Sequence, residues 1–243
     1  MVVVDPIFHE EELRAFTRRS SSGHLTDQSS KDDYALNENN DDEDDGMFTY
    51  YRGDIRNTTL LNEIFSRPTR KISGVINLAA VSRVLWCLEN QADCTAVNVD
   101  AVAGLLDALP GSSAWVEQTQ GEGGKNVDGG RLPWFIQASS REVYGDTKPG
   151  EHITESSATV PSNVYGQSKL SAEHAIQAFI DREKEKTAAK GTLQAIALRL
   201  SNVYGGEFDH RERLVPAMMT QAIAHRTIQM VGGDQFVSHG GVG

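Results

Sequence analysis

Hydrophobic residues fall along this chain in short runs that predict alternating strands and helices. Val2-Val3-Val4, closed by Asp5 and Pro6, is a β-branched run that predicts a buried strand ending in a turn. Phe48 to Arg52 predicts a second strand leading into Gly53-Asp54, Thr58 to Phe65 a helix, and Gly74 to Ala80 a buried strand ending in small residues. A helix runs through Asn98 to Leu106, a strand through Pro133 to Ala138, a long Ala-, Glu- and Lys-rich helix from Asn163 to about Lys190, and a strand from Leu193 to Leu200. Helix Leu214 to His225 and a short strand Ile228 to Val231 follow. Strands that are apolar along their length and alternate with helices imply a doubly wound α/β fold, a parallel sheet covered on both faces. In such sheets ligands collect beyond the carboxyl ends of the strands, so the residues just after each strand carry the chemistry.

Two segments break the pattern. Residues 20–46 hold nine acidic side chains and one lysine with almost nothing apolar, which predicts a disordered insertion. Within it Asp41 to Gly46 imitates the start of a calcium loop, but the twelfth position is Arg52 where a bidentate Glu is needed, so no metal site is expected. Residues 111–131 contain six glycines, with no strand leading into them and no G-K-[ST], and read as a flexible surface loop.

The whole chain of 243 residues has a formal charge of -11, from 23 Lys+Arg against 34 Asp+Glu. Outside the acidic insertion, 22 cations face 25 acids, so the folded part is close to neutral. That balance argues against a nucleic-acid binder, which needs clustered cations. Cys87 and Cys94 are seven apart, match neither a redox C-x-x-C nor a zinc spacing, and are expected to be reduced intracellular thiols. No apolar run approaches a membrane span and the first residues lack the regions of a signal peptide, so the expectation is a cytoplasmic protein with no membrane partner.

The candidate chemistry lies at three strand ends. Tyr165 and Lys169 form a Y-x-x-x-K pair inside the long helix, where i,i+4 spacing places phenol and ammonium on one face. A nearby cation stabilises a phenolate, so Lys169 is expected to lower the Tyr165 pKa toward the range of a general acid/base. Ser140, at the end of the preceding strand and before Val143-Tyr144-Gly145, can hydrogen-bond the substrate oxygen whose proton Tyr165 exchanges; its plainer reading is a turn cap.

These pieces, in this order, resemble the extended short-chain dehydrogenase/reductase family, the NAD-dependent epimerase/dehydratases of nucleotide sugars. The matching stretches are Gly53 to Ile55, Asn77 to Ala80, Glu89 to Leu109, Ser139 to Asp146, Val164 to Lys169 and Leu198 to Gly206. The resemblance implies a Rossmann-like fold with NAD as cofactor and a nucleotide sugar as substrate. It makes Tyr165 the acid/base on the sugar hydroxyl, Lys169 its tuner and the holder of the nicotinamide ribose, and Ser140 the third catalytic member. It puts Asp5 on the adenosine ribose, Asp54 and Ile55 beside the adenine, Leu78, Ala79 and Ala80 along the cofactor channel, and Asn202 on the substrate phosphates. A homodimer is implied for a full-length member.

The reaction turns on the residues before V-Y-G. Family 4-epimerases show S-S-x-x-V-Y-G, whereas the 4,6-dehydratases carry T-D-E, with the Asp as acid; here those positions are Ser140, Arg141 and Glu142. Arginine cannot donate that proton, which favours a 4-epimerase. Glu142 also fits the sugar-acid decarboxylases of the family, so decarboxylation and dehydration stand as alternatives, beside a salt-bridge role for Glu142. The family's G-x-x-G-x-x-G fingerprint is not in this sequence. The resemblance then implies that the first strand, phosphate loop and first helix are lacking, that residues 1–206 form an incomplete cofactor-binding domain, and that residues 207–243 are only the start of the substrate-binding domain. An inactive fragment or binding protein without the phosphate loop is the alternative from another class.

Overall fold

The computed structural model describes residues 2–5, 49–66, 72–113, 132–148, 150–186, 193–205, 213–224, 227 and 239–241. The acidic run 20–46, most of the glycine-rich loop 111–131 and the expected strand 228–231 lie outside these residues.

Seven strands and six α-helices lie among the described residues. The first strands are β1 (Val2–Asp5) and β2 (Thr49–Arg52), followed by helix α1 (Thr58–Ser66) and strand β3 (Gly74–Asn77). Helices α2 (Val84–Glu89) and α3 (Gln91–Thr95) lead through a π-helical turn, Ala96–Asp100, into α4 (Ala101–Asp107). Strand β4 (Trp134–Ser140) ends in a 3-10 turn, Arg141–Tyr144, and the long helix α5 (Val164–Lys186) follows. Strands β5 (Ala195–Leu200) and β6 (Asn202–Tyr204), helix α6 (Leu214–Ile223) and strand β7 (His239–Gly241) complete the chain.

Every strand pair among the described residues is parallel, in three groups: β1-β2, β3-β4-β5 and β6-β7. The β3-β4-β5 register aligns Val75, Phe135 and Ala195 in one row and Ile76, Ile136 and Ile196 in the next, so alternate rows face opposite sides. The first face is covered by helices. Leu105, Leu106 and Leu109 from α4 and its end, and Ala172, Ile176 and Phe179 from α5, pack on Phe135 as one core. The α5 positions recur at intervals of four and three, which lays a continuous apolar stripe on the sheet. The other face carries Ile76, Ile196, Leu198 and Leu200, each more than a third exposed.

Two expectations are corrected. The helix predicted from Asn98 begins with α2 at Val84 and is interrupted at Asn90, whose backbone (φ -127°, ψ 56°) leaves the helical region. That break explains the cysteines. Seven residues of straight helix rise about 10 Å, but the Cα atoms of Cys87 and Cys94 are 5.3 Å apart and their sulfurs form a disulfide instead of two thiols.

Candidate active site

Tyr165, Gly166 and Lys169 occupy the first two turns of α5. Asn163 caps that helix: its Oδ1 accepts a hydrogen bond from Gly166 N at 2.8 Å, satisfying one of the free amides of the first turn. Gly166 is required by contact, since a Cβ there would lie 2.5 Å from the carbonyl oxygen of Glu142. The helix start therefore presses directly on the 3-10 turn that follows β4. Gly145 closes that turn at φ +70°, and a side chain there would strike the Val160 carbonyl as well.

Ser140 serves the plainer of its two expected purposes, the cap. Its Oγ accepts from Glu142 N at 3.2 Å, capping the turn, and its side chain lies beside the Tyr165 phenol. Ser140 is buried, at 7% exposure. Lys169 is buried too, and its Nζ donates to the Ala138 carbonyl at 2.9 Å, 5.8 Å from the centre of the Tyr165 ring. Burial lowers the Lys169 pKa from 10.5 to about 8.

The expected lowering of the Tyr165 pKa by Lys169 is not what the structure shows. Burial pushes the phenol above its ordinary value; the Ser140 hydrogen bond opposes this, the Glu142 charge adds to it, and the Arg213 charge offsets part of it. The Lys169 ammonium lies beneath the ring and is committed to a carbonyl, so its charge is not directed at the phenolic oxygen.

Glu142 sits between Arg141, with Nη2 at 3.3 Å, and Asn163, whose Nδ2 donates at 2.8 Å. The salt-bridge role foreseen for it is present, and its carboxylate also faces Tyr165. Asp5 ends β1. Asp54 follows β2 with its carboxylate gripped by Arg56 Nε and Nη2, the latter at 2.6 Å, and that hydrogen bond holds its pKa below the usual range. Ile55 is buried beside it, Leu78 is 70% exposed just after β3, and Ala79 and Ala80 are half-buried. Asn202 opens β6 with an exposed side chain and shares no hydrogen bond with Ser140, Tyr165 or Lys169. The structure thus joins Ser140, Tyr165, Lys169 and Glu142 at one place; Asp5 and Asn202 stand at strand ends, and Asp54, Ile55, Leu78, Ala79 and Ala80 in the segments just after β2 and β3.

Several residues were missed by the sequence reading. Asn98 is buried in the π-helical turn, where it accepts from Val81 N at 2.8 Å and donates to Val81 O at 3.0 Å and to Ser168 Oγ at 2.9 Å. It ties the loop after β3 to the residue preceding Lys169. A π-turn often marks a functional site, and an Asn between Val97 and Val99 in an apolar helix was the available signal. Asn163 and Arg213 were also missed; a cap before an apolar helix would have singled out the first.

A NAD-type dinucleotide is tested by these donors. The amine and hydroxyls of Lys169, Tyr165 and Ser140, with small side chains at Ala79 and Ala80, fit its nicotinamide-ribose half; a phosphate-binding loop is not among the described residues.

Comparison with known proteins agrees with this geometry. A profile of the NAD dependent epimerase/dehydratase family matches residues 8–239. UDP-glucose 4-epimerase of Lacticaseibacillus casei is 30% identical over 200 residues, spanning 79% of this chain and 52% of that protein. A dTDP-glucose 4,6-dehydratase of Haemophilus influenzae is 28% identical, spanning 80% of this chain and 52% of its own length. Among solved structures, a dTDP-glucose 4,6-dehydratase from Streptomyces venezuelae with NAD bound superposes with a TM-score of 0.65 at 20% identity, over 99% of this chain and 58% of that one. A UDP-glucose 4-epimerase gives a TM-score of 0.61 at 22% identity, over 93% of this chain and 53% of the other. The chain spans about half the length of the curated relatives it matches. No helix among the described residues is long and apolar enough to cross a membrane. With its parallel sheet and the serine, tyrosine and lysine gathered at the carboxyl end of β4, the chain belongs to the NAD dependent epimerase/dehydratase family.

Proposed function

We propose that this protein is an NAD-dependent nucleotide-sugar 4-epimerase whose proton chemistry is carried by Ser140, Tyr165 and Lys169. The observation that supports it is the convergence of the Ser140 hydroxyl and the Tyr165 phenol beside a buried Lys169. Ser140 orients the C4 oxygen of the sugar, and Tyr165 removes and returns the proton of that hydroxyl. When bound, the dinucleotide supplies the hydride acceptor and donor for C4; Lys169 would hold its ribose, Asp5 and Asp54 its adenosine end, and Ala79 and Ala80 would line its channel. Asn202 would contact the substrate phosphates. The relatives include both 4-epimerases and 4,6-dehydratases, and Arg141 favours the first, because no acid stands where elimination of water needs one.

One observation favours a second reading. The Glu142 carboxylate is anchored by Asn163 and faces Tyr165, as a base for elimination or decarboxylation would. Proton NMR of UDP-glucose incubated with the protein and NAD separates the two. The epimerase reading expects a C4-inverted sugar of unchanged mass, formed by the wild type and not by Tyr165→Phe; a product lacking water, or equal rates in both proteins, would overturn it.

A further inference from the structure

Helix α5 meets β4 through three successive turns, and only the first two involve the proposed reaction centre. Tyr165, Lys169 and Glu173 stand at i, i+4 and i+8 on one helix face. Tyr165 faces Ser140, Lys169 bonds the Ala138 carbonyl, and Glu173 Oε1 accepts from Ser139 Oγ at 2.5 Å. Three consecutive β4 residues are therefore held by three consecutive helix turns.

The third rung is itself clamped. Ser139 pairs with Arg199 across β4 and β5. Arg199 Nη2 reaches Glu173 Oε2 at 2.7 Å and its Nε reaches Oε1 at 3.1 Å, a two-pronged pair. Its Nη1 donates to Tyr144 Oη at 2.9 Å, and the guanidinium lies 4.9 Å from the centre of the Tyr144 ring. Tyr144 is the last residue of the 3-10 turn that starts at Ser140. The Glu173 and Arg199 side chains are 12% and 22% exposed, so the pair is largely withdrawn from solvent screening. Burial pushes the Glu173 carboxyl up, but hydrogen bonds from Arg199 and Ser139 outweigh this and keep it ionised.

The geometry points to Glu173 and Arg199 as positioning residues that fix the Ser140 hydroxyl against the Tyr165 phenol. One end of their network grips β4 at the residue before Ser140, the other grips the end of the turn after it, and Glu173 rides on the helix that carries Tyr165. Ser140 is thereby bracketed on both sides along the chain. This inference rests on the reading of Tyr165 as the acid/base, but its test needs no turnover.

The test is carbon-13 NMR at pH 7.5 of protein labelled at tyrosine Cζ, with the Tyr165 signal assigned from Tyr165→Phe. Ser140→Ala defines the displacement caused by losing the Ser140 hydroxyl beside the phenol. Other groups facing the phenol are Glu142, Arg213 and Lys169, and none is altered in the variants. Glu173→Gln, Arg199→Lys and Ser139→Ala are expected to move the signal in the same direction as Ser140→Ala, by at least half as far in the first two. Arg199→Lys keeps the charge and loses the fork, and Ser139→Ala leaves the ion pair intact, so the set remains informative if Glu173→Gln does not fold. A Tyr165 signal at its wild-type position in the folded variants, with lowered unfolding midpoints, would make the network purely structural and overturn the proposal. Absence of epimerase turnover in the wild type would count against the proposed function and leave this result unaffected.

Discussion

Lys169→Met isolates the consequence of placing an ammonium where water barely reaches. Lys169 is 3% exposed and is held by one carbonyl, and burial lowers its pKa from 10.5 to about 8. At pH 7.5 the folded chain still carries the proton, but less tightly than the unfolded chain does. Between pH 8 and 10.5 the unfolded state binds more protons, so stability rises with pH across that window. A shift of two to three units corresponds to roughly 3 kcal/mol in full, of which about 2 kcal/mol is recovered between pH 7.5 and 9.5. Urea unfolding of wild type and Lys169→Met at those two values supplies the assay. The difference between the two proteins should move by about 2 kcal/mol in favour of wild type at the higher pH, because methionine has no proton to release. A difference that stays constant, or moves against wild type, would refute the claim that Lys169 is a desolvated amine.

Three other outcomes follow from the same geometry. Gly166→Ala forces a Cβ to within 2.5 Å of the Glu142 carbonyl and should lower stability by about 1–3 kcal/mol in denaturant unfolding, where an ordinary exposed helical glycine would gain from alanine. Asn163→Ala removes a helix cap and the Glu142 anchor together, and the cap alone predicts a loss of about 1 kcal/mol by thermal unfolding. Denaturation in iodoacetamide without reductant should leave the intact mass unchanged, because Cys87 and Cys94 are paired; two adducts would show thiols. With reductant first, two adducts are expected and the unfolding midpoint should fall, the loop-closure estimate for so short a ring being about 2–3 kcal/mol.

The elements legible in the sequence were those with long or repeated signals. Helix α5 stood out as a long run rich in Ala, Glu and Lys, and the strand ends stood out through Ala79-Ala80 and Ser139-Ser140. Strands β6 and β7 are three residues each, too short for any alternation to show. Helix α2 lacks a side-chain cap at Arg83 and ends at Asn90, so its sequence gives neither a start nor a continuation. The site was legible where chemistry and local spacing coincide, in Ser140, Tyr165 and Lys169. What was not legible depends on tertiary partners. The Lys169 ammonium is directed by a carbonyl 31 residues away, and Glu173 meets Arg199 across 26 residues, a pairing that no periodicity announces. The disulfide likewise depends on one residue, Asn90, leaving helical geometry.

The central claim is that these side chains serve removal and return of hydrogen at one sugar carbon, and UDP-glucose deuterated at C4 tests it most directly. Incubated with the protein and NAD, it should give a C4-inverted UDP-sugar of unchanged mass that retains the deuterium at C4, with none formed by Tyr165→Phe. A product one water lighter, deuterium lost from C4, or no conversion under conditions where NAD binds would contradict it.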